Sequence, residues 1–365
     1  MKNTTENKSA TKSYDSVVIK PLPQSRIEIT GSIPTAVWEK NRAEAIKYIN
    51  NSVTIDGFRK GMVPENVLIG KVGESAILEE MAEISLSKTY IDVLVDNKID
   101  AIGKPEILVT KLAPGNPLEF KVITAIVPEL KLPDYKKIAK AEVAKAKPDE
   151  LKVGDKDIEN AILRIRKSRA SHEGHDHAKL TPEEHEKAIE ASMPELTDDF
   201  VKSLGEFNDI PDFKNKLSVM IGEQKVDEAR EKTRIRIADA LADAVTVELP
   251  GIMIESELNR TQAQFEADIE RMGVKLEDYL KHAKKTPEEV RAEWKPHAEK
   301  KAKLQMILND IAKAESITPA PEEVEEEVNH IVEHYTDADR ERAAAYAETV
   351  LTNEKVFKFL EKAEK

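Results

Sequence analysis

Residues 117–127 read PLEFKVITAIV. Leu118, Phe120, Val122, Thr124 and Ile126 fall on every second position, the period that gives a strand one buried face. Just upstream, 104–111 carries Ile107 and Val109 at the same spacing, and Pro114-Gly115-Asn116 supplies a turn between the two strands. Nearer the start, Tyr14 to Thr30 holds Val17, Val18 and Ile19, then Ile27 and Ile29, which predicts one or two further strands. Between these groups the period changes to that of a helix. Trp38, Ala45, Ile49 and Val53 follow Pro34, a residue that a first helical turn tolerates. Gly57 to Gly61 breaks the pattern and Pro64 restarts it. Over 74–97, Ile77, Met81, Ile84, Ile91 and Val95 mark a long amphipathic helix. Residues 14–130 therefore read as one α+β domain, with helices packed on an antiparallel sheet.

The rest of the chain has no strand pattern. Lys, Ala and Pro dominate 131–155, a connector. A helix at 155–170 puts Ile158, Ile162 and Ile165 on one face, and helix follows helix to the end. Thr181-Pro182-Glu183-Glu184 and Thr286-Pro287-Glu288-Glu289 each place a capping threonine, a proline at the first helical position and a glutamate at the third. Pro211, Pro250-Gly251 and Pro319-Ala320-Pro321 punctuate the remainder. Helices of about 15–35 residues with a narrow apolar stripe suit an arm-like body with a thin core. The fold class is α+β and predominantly α: a disordered tail over 1–13, the domain at 14–130, a connector over 131–193, and a helical domain at 194–365.

Composition narrows the chemistry. The 365 residues contain no cysteine, which excludes disulfides and thiolate sites and fits a reducing cytosol. No apolar run is long enough for a transmembrane helix, and the first twenty residues lack the apolar core of a secretory signal. The net charge of −13 opposes wholesale coating of nucleic acid, but the charge is unevenly spread. Residues 1–150 sum to +1 and residues 151–365 to −14. A split in charge predicts a split in partners. No phosphate-binding loop, dinucleotide fingerprint or nucleophile elbow occurs, so no catalytic residue and no cofactor is assigned.

One local motif stands out: Gly57-Phe58-Arg59-Lys60-Gly61, followed by Met62-Val63-Pro64, between two predicted helices. Two glycines allow tight turns. The tip presents an apolar anchor, a bidentate cation and a point charge, which suits docking onto an anionic surface. Composition alone equally allows an ordinary helix–helix loop with solvated cations and a buried Phe58.

This loop, its place about 40 residues into a small α+β domain, and an acidic helical second half resemble the trigger factor family, the ribosome-associated chaperones of bacteria. The resemblance covers nearly the whole chain, including the TIDGFRKGMVP context and the segment Pro194-Glu195-Leu196-Thr197-Asp198-Asp199-Phe200. It implies a nucleotide-independent chaperone in the cytoplasm, partly on ribosomes. Gly57, Phe58, Arg59, Lys60 and Gly61 would dock at the tunnel exit of the large subunit, on protein and on ribosomal RNA. The helical domain would hold unfolded or nascent polypeptides, with no role for DNA or membrane. Met220, Met253, Phe265, Met272, Met306, Tyr346 and Phe357 are the candidate client-binding side chains, the remaining large apolar residues being core. Exposed client patches also leave room for weak homodimerisation.

The chain departs from the family in one respect. Members usually carry a prolyl-isomerase domain of about a hundred residues between connector and helical body. Here only 171–193 separates them, too short for a half-open barrel of several strands. The expectation is a non-enzyme. Isomerisation from an unrecognised site and a ribosome-free holdase or scaffold are the alternatives. His172, His175, His177 and His185 fall in this short segment; with no organising ligand set, a polar linker is the expectation and no metal site is assigned.

Overall fold

The computed structural model describes residues 12–146, 151–170, 190, 192–335 and 338–362. The four histidines just named, the Thr181-Pro182 cap and all but the last two residues of the expected tail lie outside them.

The alternation at 117–127 becomes the inner strand of a four-stranded antiparallel sheet. β1 (Ser16–Leu22) and β2 (Arg26–Ile33) form a hairpin, and β3 (Ala101–Lys111) pairs with β4 (Leu118–Ile126). The order is β1-β2-β4-β3. Leu118, Phe120, Val122 and Thr124 are buried, and Ile29 opposes Val122 across the β2–β4 ladder. Helices α1 (Thr35–Trp38), α2 (Arg42–Ser52), α3 (Glu65–Val72) and α4 (Glu74–Asp96) contribute the other half of this core. The expected single helix after Pro34 is interrupted by a 3₁₀ turn at Glu39–Asn41. Trp38 is fully buried and its indole N–H donates to the Asn116 carbonyl (3.0 Å), so the β3–β4 turn is tied to α1.

The buried face of α4 differs from the one its large apolar residues predict. Ile77 and Met81 are buried, but Ile91 and Val95 are exposed. The inward line instead continues through Ser85, Thr89 and Val93. Small side chains let the helix approach the sheet. The Ser85 hydroxyl donates to the Met81 carbonyl one turn back (2.6 Å), so its burial leaves no orphaned polar group.

Among the described residues no strand follows β4. The helices are α5 (Tyr135–Val143), α6 (Asp155–Ser168), α7 (Asp198–Leu204), α8 (Ile210–Ala244), α9 (Gly251–Arg271), α10 (Leu276–Ala283), α11 (Pro287–Ala314), α12 (Pro321–His334) and α13 (Arg340–Glu361). Two are shorter than expected: α7 stops at Gly205, and α10 ends in a left-handed Lys284. Thr286 builds the predicted cap, accepting from the Glu289 N–H (3.2 Å) while the Glu289 carboxylate accepts from its own N–H (2.9 Å).

The chain divides into two compact units that are discontinuous in sequence. One comprises Met1–Lys131 with Thr246–Met306, the other Leu132–Val245 with Ile307–Lys365. The helical stretch read as a single domain over 194–365 is thus shared between them. Inside the first unit, Leu249, Ala302 and Met306 pack with Val127 and Leu130. At the β1–β2 turn, Gln24 and Ser25 adopt positive φ, and Glu248 accepts from the Gln24 N–H (2.8 Å) and the Ser25 hydroxyl (2.5 Å). Inside the second unit, Arg234 on α8 forms a fork with Glu354 (2.7 and 3.0 Å) and reaches Glu361 (2.5 Å), both on α13.

Candidate functional site

The 57–61 loop is two turns in series. The Phe58 N–H donates to the Ile55 carbonyl (3.1 Å) and the Met62 N–H to the Arg59 carbonyl (2.9 Å). Each four-residue turn has a glycine in third position, Gly57 at φ +87° and Gly61 at φ +82°. That position of a type II turn requires positive φ, which explains the glycine spacing.

The base of the loop is held by a residue that the motif does not include. Asn50, buried near the end of α2, donates from Nδ2 to the Val63 carbonyl (2.7 Å) and accepts at Oδ1 from the Val63 N–H (3.1 Å). Its own carbonyl accepts from the Gly61 N–H (3.0 Å). One side-chain amide thus satisfies both polar groups of the buried Val63 and fixes the chain where it leaves the second turn. A polar residue in a helix carries no period signal, so only its place thirteen positions before a buried valine could have pointed to it.

The tip faces outward. Phe58 is 40% exposed, and Arg59, Lys60 and Met62 are exposed as well. Among the described residues neither cation pairs with a carboxylate, and their charges stand free beside an apolar ring. The loop is held at its base and open at its tip, suited to an anionic surface with an apolar recess.

The client candidates separate by burial. Met220, Met272 and Tyr346 are exposed. Met253 is half-buried against Leu249 and Ile254. Phe265 is half-buried too, edge-on to Tyr279 (5.3 Å between ring centres) and Trp294 (5.1 Å). Phe357 is half-buried with the Arg234 guanidinium 5.7 Å from its ring. Met306 is only 6% exposed and belongs to the core of the first unit, because α11 turns that face inward together with Ala302. It is removed from the client set.

Met220 lies in an open groove of 1170 Å³ between α6 and α8, whose apolar floor includes Ile165, Leu217, Ile221 and Ile235. Ile235, like Val219 and Val226 on the same helix, is exposed, and composition gave no reason to single these out. No group of three or more metal-ligating side chains occurs among the described residues, and no helix among them is long and apolar enough to cross a membrane.

Electrostatics is structured chiefly at the α8–α13 clamp. Hydrogen bonds from Arg234 hold the Glu354 carboxyl down at about 2, with Lys358 adding to the effect. In the same unit the Tyr135 hydroxyl donates to Glu315 (2.6 Å), which pushes the phenol up to about 12.

Comparison with known proteins converges on one family. A model described as bacterial trigger factor protein matches residues 16–165, and one described as the trigger factor C-terminus matches residues 209–361. A trigger factor of Carboxydothermus hydrogenoformans is 25% identical over 400 residues, covering 91% of this chain and 94% of the relative. One of Streptomyces coelicolor is 26% identical, covering 84% of this chain and 80% of the relative. A solved structure of the trigger factor chaperone, described for promiscuous substrate recognition in folding and assembly, superposes with a TM-score of 0.54 at 18% identity. The likeness covers 96% of this chain and all of that one, and concerns the fold.

Proposed function

Because this chain belongs to the bacterial trigger factor family, ribosome-associated chaperones for the folding of nascent chains, we propose that its 57–61 loop is the ribosomal contact. Phe58 is the apolar anchor, Arg59 a bidentate phosphate or carboxylate ligand, and Lys60 a point charge. Gly57 and Gly61 shape the two turns. The carrying observation is that all three tip side chains are exposed while Asn50 fixes the loop base. Protein and ribosomal RNA near the tunnel exit of the large subunit are the proposed surface, in the cytoplasm.

Residues 14–130 act as the docking domain, 131–193 as connector, and 194–365 as the client-binding part. Met220, Met272 and Tyr346 contact emerging apolar segments, with Met253, Phe265 and Phe357 at the margins. Binding unfolded chains weakly and reversibly lowers their free concentration and suppresses aggregation, with no need for a nucleotide. The chain acts without prolyl isomerisation, a reading supported by the 23 residues left between connector helix and helical body and by matches that resume only at residue 209.

Replacing Phe58, Arg59 and Lys60 together by alanine should abolish co-sedimentation with ribosomes and leave suppression of aggregation intact. Wild-type binding should weaken as salt rises. Unchanged co-sedimentation of the triple variant would overturn the loop assignment. Client binding without salt-sensitive ribosome association would favour a ribosome-free holdase.

A further inference from the structure

The sheet of the 14–130 region carries a second feature, separate from the 57–61 loop. Among the described residues β3 is an edge strand, hydrogen-bonded to β4 alone. Its outer rim therefore offers a row of backbone N–H and C=O groups without a strand partner. Natural edges are commonly blunted by proline, lysine and irregular register. Those devices are present here, inside β3, and they bracket a short stretch. Lys104 and Pro105 stand on one side, with a register shift between Ile102 and Glu106. A second shift, between Val109 and Lys111, stands on the other. Between them Ile107, Leu108 and Val109 are 43%, 60% and 36% exposed.

These three residues expose apolar surface on both faces of the sheet. Ile107 opposes Val122 and Val109 opposes Phe120, so both lie on the face that the helices cover nearer the sheet centre. Leu108 opposes Lys121 on the other face. A ligand matching this rim must bring its own unpaired backbone groups and apolar side chains on both faces. That is the chemistry of an extended polypeptide with a continuous run of Val, Ile or Leu, a segment destined for a buried strand.

We propose that the β3 rim at 106–110 is a strand-addition site for such segments of unfolded polypeptide. This rests on the chaperone reading above and adds a mode of client contact distinct from apolar patches on helices. A second copy of the chain is the competing occupant. A five-residue window is about 17 Å long, and one strand pairing of that length falls well short of the roughly 1,200–2,000 Å² that stable association requires. A short window suits transient contact, and the blunted ends stop it from growing into an open-ended sheet. The opposite edge, β1, is the shorter strand, and it exposes two large apolar residues in a row, Val18 and Ile19, before its own Lys20-Pro21, where β3 exposes three.

The test uses the full chain and a fluorescein-labelled peptide with a Val-Ile-Val-Ile-Val centre between aspartates, followed by anisotropy. Methylating alternate backbone nitrogens keeps the side chains and removes the strand's donors. The methylated peptide should bind about tenfold more weakly or worse. Leu108→Lys, at an exposed position that leaves the backbone intact, should weaken the unmethylated peptide by a similar factor, while Val18→Lys on β1 leaves it unchanged. Equal binding of both peptides would overturn strand addition without touching client binding by the helices. Failure of the chain to bind either peptide would likewise overturn strand addition, whereas failure to suppress aggregation would overturn the chaperone reading itself. Sedimentation showing a dimer lost in Leu108→Lys would assign the rim to a second copy and overturn the proposal.

Discussion

At the scale of single residues, the loop is only as good as its base. Asn50→Ala would leave both backbone groups of the buried Val63 without a partner, so a loss of about 2–3 kcal/mol is expected. Urea unfolding measures it, and ribosome co-sedimentation should fall although the tip is unaltered. The glycines make a finer comparison. Gly57→Ala meets open space and suffers only the positive φ, about 1 kcal/mol. Gly61→Ala suffers the same and also brings Cβ within 2.5 Å of the Asn51 side-chain oxygen, which must swing aside. Gly61→Ala should therefore have the lower urea midpoint at an unchanged slope. The tip was legible in the sequence because glycine, aromatic and paired cations carry meaning at fixed spacing. Asn50 was not, because a helical asparagine looks the same whether solvated or clasping a neighbouring chain.

At the scale of elements, α8 and α13 are joined through the Arg234 fork. Glu354 has its pKa lowered by that fork, so it stabilises the fold fully above its ordinary value near 4.5. The contribution fades as pH falls toward about 2. Glu354→Gln should thus be less stable than wild type at neutral pH and converge with it in acid. Circular dichroism melts across that range decide the matter, and a difference that persists at the acid end would contradict the linkage. The strands of the amino-terminal sheet were legible because period two leaves one face apolar, as at 117–127. The inner face of α4 was misjudged because small polar residues, Ser85 and Thr89, take the place that large apolar ones were expected to fill. Burial of Met306 and exposure of Met220 were equally hidden, since a methionine fits a core and a client surface alike.

At the scale of the molecule, function follows from what each region presents. Refolding of a client limited by proline isomerisation takes tens of seconds uncatalysed. Substoichiometric amounts of this protein should leave that rate unchanged; acceleration would reveal an isomerase site outside the expected domain. The uneven charge was legible at once. The first 150 residues are near neutrality and expose two cations at the 57–61 loop, while the acidity of the rest favours solubility of its exposed apolar side chains. The grouping of the chain into units was not legible, because packing between helices distant in sequence leaves no local pattern.

That grouping has a consequence for the protein's own biosynthesis. The chain passes from the first unit to the second, back at residue 246, and over again at 307. Synthesis runs from the amino terminus, so the sheet domain is made early but its partners Leu249, Ala302 and Met306 come late. Val127 and Leu130 must stay uncovered while more than a hundred further residues are added. A protein that guards unfinished chains thus spends a stretch of its own manufacture as an unfinished chain with an uncovered apolar face.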